Sequence, residues 1–146
     1  MARVIAIFLL TICCAWGKEL APVDTPYNKV FDPWRACTHA KELAKRGAPD
    51  ALRTLFLAAY VRVNQPFLGG EDLESMDLIF GEVLQAVGDR VFSHALKAQR
   101  PEVRSAAKWF LGTDSHPYLK KFPRTAKLLS EAPKIEWPLD KAYRED

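Results

Sequence analysis

Three histidines, a lone cysteine beyond residue 17 and a run of acids from Glu71 to Glu82 are the side chains of this 146-residue chain best suited to chemistry. A nucleophilic cysteine needs exposure and a lowered pKa. Cys37 instead shares a helical face with Ala40 and Ala44, so it reads as a buried, inert thiol. His39 and Glu42 stand three residues apart on a polar face. Without an HExxH motif or a further ligand nearby they read as a solvated pair, not a metal site. His94 falls on the polar side of its helix. Asp114-Ser115-His116 contains the residue types of a hydrolase triad, but triad members converge from separated parts of a fold. This run reads as a cap and turn before Pro117. Glu71, Asp72, Glu74, Asp77 and Glu82 could supply a carboxylate pair for glycoside hydrolysis. Their clustering at the start of one helix is better explained by the positive end of its dipole and a solvated face. Gly69-Gly70 is a hinge and not a phosphate loop. The expectation is no catalytic residue, no metal ligand set and no cofactor.

Two surface features remain. Lys120, Arg124 and Lys127 fall within about 60° of one another on a helical wheel, opposite Phe122, Ala126 and Leu129. With Lys121 they form a basic stripe able to meet an acidic partner or an anionic polymer. Trp109 sits off the apolar stripe of its helix, and Trp is enriched where binding energy concentrates. Trp109 and Trp137 complete the set of partner-binding candidates, and the C-terminal tail, through Trp137, is also a candidate cover for Trp109.

These side chains must be positioned by helices. Prolines recur where helices begin, at the first turn where the missing N–H costs nothing. Glycines recur where helices stop. A first helix starts at Asp32-Pro33 and stops at Gly47. It carries Ala36, Cys37, Ala40, Leu43 and Ala44 inward and Arg35, Thr38, His39, Glu42, Lys45 and Arg46 outward. A second runs from Pro49 to Asn64. It is apolar on its back as well, at Leu57 and Val61, which marks it as the centre of the domain. A third spans Glu71 to Val87 and stops at Gly88. A fourth runs from Asp89 as cap to Gln99, with Val91, Phe92, Ala95 and Leu96 inward. A fifth runs from Pro101 to Gly112, with Val103, Ala106, Ala107 and Phe110 inward. A sixth element, Tyr118 to Glu131, is interrupted at Pro123. Ile135, Trp137 and Leu139 alternate in the tail, which suggests an extended strap along the body.

Met1-Ala2-Arg3 precedes about eleven apolar residues and the small residues Ala15 and Gly17, the pattern of a secretory signal peptide. The stretch is too short to span a bilayer, which needs ~20 residues. Cleavage is expected between Gly17 and Lys18, delivering the rest of the chain to the periplasm or the exterior. Lipidation is not expected, because neither Cys13 nor Cys14 follows a small residue. Processing would remove Arg3, leaving 20 of the 21 Lys and Arg against 18 acids. Such near-neutrality gives no global drive toward nucleic acid. It would also remove two of the three cysteines, which rules out an internal disulfide downstream.

Pro101-Glu-Val-Arg-Ser-Ala-Ala-Lys-Trp-Phe-Leu-Gly112 resembles the second helix of a HEAT-type repeat, carried by Pro101, Val103, Arg104, Ala106, Ala107, Leu111 and Gly112. The preceding segment would be its partner helix, so the resemblance covers residues 89–112. It implies stacked helix pairs that bind partners on extended surfaces.

The expected architecture is therefore all-α, without a sheet. Five or six helices would pack as antiparallel pairs in a HEAT-like α-α superhelix. Residues 1–17 form the signal, 18–31 a polar lead-in, 32–132 the helical domain and 133–146 an extended tail. The expected function is that of an exported binding module with a protein partner, without catalysis, transmembrane segment or nucleic-acid ligand. An inhibitor or immunity-type protein against an envelope-acting enzyme, and a carboxylate-based hydrolase, are the alternatives.

Overall fold

The computed structural model describes residues 32–65, 70–112 and 119–142, and the side chains of these except 70–75 and 142. The fold is all-α. In chain order it comprises α1 (Pro33–Lys45), α2 (Ala51–Val63), α3 (Gly70–Val87), α4 (Asp89–Lys97), α5 (Pro101–Leu111), a 3-10 turn (Leu119–Lys121), α6 (Pro123–Glu131) and α7 (Pro138–Ala142). No strand occurs among the described residues. The signal segment, the lead-in, and Asp114, Ser115 and His116 lie outside them, as do the side chains of Glu71, Asp72 and Glu74.

Local sequence accounts for most boundaries. The Asp32 carboxylate accepts the Arg35 backbone N–H at 3.2 Å, capping α1 one residue before Pro33. Gly47 and Gly88 follow α1 and α3 with φ of 67° and 82°, the left-handed region that favours glycine. α5 opens on Pro101 and α6 on Pro123.

α2 occupies the centre, and its burial on both sides follows from its composition. Leu52, Leu55, Phe56, Ala58, Ala59 and Val63 are each at most 1% exposed, and Val61 on the back is 7% exposed. α1 packs on α2 and α3, α5 packs on α2, α3 and α6, and α7 touches α2. Two aromatic pairs knit these layers. Phe80 of α3 stacks on Phe110 of α5 at 5.2 Å, and Phe56 of α2 meets the edge of Phe92 of α4 at 5.3 Å. A surface ion pair, Lys41–Glu82, adds a link between α1 and α3.

Three sequence expectations are corrected. Val91 points outward, at 39% exposure, whereas Ser93 is buried at 7%. The Ser93 hydroxyl can turn inward because it donates to the Arg90 carbonyl one turn back. The tail is not extended throughout: Pro138–Ala142 is helical. Asp89 is not the N-cap of α4, a position held by Gly88 without a side-chain cap bond. The sixth element is interrupted at Pro123 as expected, because Pro123 cannot continue a helix from the 3-10 turn before it and instead opens α6. α4 rests on α6, and α5 on α2, α6 and α3.

Asp89 explains why α4 and α6 meet. Phe122 occupies the N-cap position of α6 and supplies no side-chain cap. The Asp89 carboxylate does so from across the fold. It accepts the Arg124 N–H at 3.0 Å, the Thr125 N–H at 2.9 Å and the Thr125 hydroxyl at 2.8 Å. These are the second and third amides of α6, the two that a local cap would serve. Thr125 is fully buried.

Candidate binding surfaces

The C-terminal strap, residues 133–142, builds one candidate site by docking beside α5. Trp137 is 5% exposed and Leu139 fully buried, both within the hydrophobic core. The Trp137 ring meets Tyr60 of α2 edge-on at 6.2 Å. Asp140 locks the arrangement: one oxygen accepts the Trp137 backbone N–H at 2.8 Å, and the other accepts the Trp109 indole N–H at 2.8 Å. The first bond is half of a capping box for α7. The second crosses from strap to α5.

Between strap and α5 lies an open groove of about 690 Å³, within the size range of ligand-binding clefts. Ser105, Lys108, Trp109 and Gly112 form one wall, and Pro133 to Trp137 the other. Asp77 of α3 and Asp140 contribute carboxylates. Half-buried Trp109 and Ile135 give it apolar surface. Lys108 reaches across at 3.4 Å to the Ala132 carbonyl. Neither Lys108 nor Lys134 belongs to an ion pair among the described residues.

The sequence candidates separate into two places. Trp109 borders the groove. Trp137 also lines the groove but is 5% exposed and belongs to the core, packed on Tyr60. Lys120, Lys121, Arg124 and Lys127 are all exposed, on the 3-10 turn and on α6, whose Arg124 and Thr125 amides bond to Asp89 of α4. Lys127 approaches Glu131 at 3.9 Å, one helical turn on. Phe122, Ala126 and Leu129 face inward or are half-covered, as the stripe requires. Asp140, Ile135 and Lys108 were not legible as site residues, since only the docking of the strap brings them to α5.

The candidates for chemistry stay apart. Cys37 is fully buried, and burial pushes its thiol up to about 12, far from a reactive thiolate. Iodoacetamide is therefore expected to leave Cys37 unmodified in the native protein and to alkylate it fully in guanidinium. Peptide mapping distinguishes it from the other thiols. His39 and His94 are exposed on separate helices. Glu42 is bonded to Lys45 at 2.9 Å, and that bond and charge lower its pKa. Among the described residues no three His, Cys, Asp or Glu side chains gather as a metal site, and no helix is long and apolar enough to cross a membrane. Compared with family models, curated proteins and solved structures, the chain matches none.

Proposed function

We propose that this protein is an exported binding module that holds a segment of a protein partner in the groove between α5 and the C-terminal strap. The observation that carries the reading is the groove itself, a cleft of about 690 Å³ rimmed by half-buried Trp109. Trp and charged groups around a concave floor suit an apolar side chain of a partner flanked by polar groups. Lys134 is exposed and Ile135 half-buried on the opposite wall, outside regular secondary structure, and no backbone hydrogen bond engages them among the described residues. The signal-like N-terminus supports export. The reading does not rest on the HEAT resemblance, because α4 and α5 make their main contacts with other helices.

A photo-crosslinking residue at exposed Lys134 tests the reading in an envelope extract. It should capture one protein, and the same group at Lys45 on α1 should not. Capture should fall about ten-fold or more with Ile135→Arg, which fills the groove with a charge, as expected when a central contact worth over 1.4 kcal/mol is lost. Equal capture from both positions, or no effect of Ile135→Arg, would defeat the proposal.

A further inference from the structure

We infer that the joined face of α4 and α6 is a second, independent surface that docks on an anionic lipid bilayer. Arg90, His94 and Lys97 are exposed on α4 and lie within about 60° of one another around its axis. α4 packs against α6, and Asp89 binds the backbone of Arg124 and Thr125. This junction makes one basic surface of Arg90 and Lys97 with Lys120, Lys121, Arg124 and Lys127. Only two acids belong to these elements. Asp89 is engaged by three donors from α6, and Glu131 stands beside Lys127.

The charge is segregated along the chain. From Asp89 to Glu131 there are nine Lys and Arg against four acids, whereas from Lys18 to Gly88 there are eight against ten. A chain whose charge is divided in this way is oriented by a charged surface when its basic segment lies exposed. Three features favour lipid over a folded acidic protein. Four of the six cations are lysines, compact point charges that suit mobile headgroups, where a fixed carboxylate would favour the bidentate fork of arginine. The groove lies elsewhere, between α5 and the strap. Val91, one of two large apolar side chains exposed among the described residues, sits at 39% exposure beside Arg90. Its position suits shallow contact below the headgroups.

Vesicle sedimentation of the full chain tests this. The readout is the ratio of partitioning onto phosphatidylcholine vesicles containing phosphatidylglycerol to partitioning onto pure phosphatidylcholine, which cancels any apolar contribution of the N-terminus. Each cation near an anionic surface strengthens binding about five-fold. The triple variant Lys97→Gln, Lys120→Gln, Lys121→Gln should lower the ratio about 100-fold. Neutralising three exposed arginines of α1, its following turn and α2 (Arg35, Arg46 and Arg53) should change it less than about three-fold. Circular dichroism confirms that both triples remain folded. Equal losses in the two triples would reduce the effect to net charge and overturn the proposal. So would a ratio near one for the unmodified chain. Binding to poly-glutamate with both vesicle types left unbound would assign the face to an acidic protein instead.

Discussion

Trp137→Ala is expected to destabilise the fold by about 3–5 kcal/mol, the usual cost of removing a large buried aromatic. Trp137 is 5% exposed, lies in the core cluster and meets Tyr60 edge-on. Aromatic pairs of this kind add about 0.5–1.5 kcal/mol beyond the area they bury. Its removal acts on the whole strap, which leaves the body with Leu139 as its one remaining fully buried apolar anchor. The Trp109 indole N–H then loses its partner, since Asp140 is held in place by the same segment. Urea unfolding measures the first effect. Hydrogen exchange of the Trp109 indole, read by NMR, measures the second and should accelerate. A loss under about 1 kcal/mol with unchanged indole exchange would mean that the strap contributes little to the body.

How far each feature could be read from sequence depends on how far apart its causes lie along the chain. The first helix was legible because cap, proline, apolar face and terminating glycine fall within sixteen residues, Asp32 to Gly47. The structure places Cys37, Ala40 and Ala44 inward and Arg35, His39 and Glu42 outward, as the periodicity requires. The burial of α2 was legible because both faces are apolar. Val91 was misread, and buried Ser93 was not foreseen, because periodicity treats a short helix as facing one neighbour. α4 packs on α6 and also meets α3, and a hydroxyl bonded to its own helix can be buried at little cost. Trp109 and Trp137 were legible as unusual but not as partners of one carboxylate. Asp140 lies 31 residues beyond Trp109, and no local pattern links them. The basic stripe was read in half. Lys120, Lys121, Arg124 and Lys127 share a local spacing, whereas Arg90 and Lys97 join them only through the α4–α6 contact.

That contact depends on Asp89, and Asp89→Ala should cost about 2–4 kcal/mol. Loss of a helix cap costs about 0.5–2 kcal/mol, and leaving a buried donor unsatisfied adds about 1–3 kcal/mol. The buried donor is the hydroxyl of Thr125, which is fully enclosed and loses its only partner with the carboxylate. Asp89→Asn should cost less, because one amide oxygen can still accept from α6. The effect carries a pH signature. Burial raises the Asp89 pKa, but the Arg124 and Thr125 backbone N–H groups and the Thr125 hydroxyl together outweigh it, so the net shift is downward. A depressed folded-state value means that the ionised carboxylate stabilises the fold above the unfolded value of about 3.9. The contribution fades as pH falls through the folded value. The gap in urea midpoint between the unmodified protein and Asp89→Asn should therefore be constant near neutrality and narrow below about pH 4. A gap that widened on acidification would show that the protonated acid, not the carboxylate, is the favoured cap. Because the same carboxylate aligns α4 with α6, Asp89→Ala also probes the basic face: removing its negative charge alone would strengthen anionic vesicle binding, so weaker binding would show that the alignment of α4 with α6 outweighs the charge. This couples the stability of one helix terminus to the continuity of the basic face.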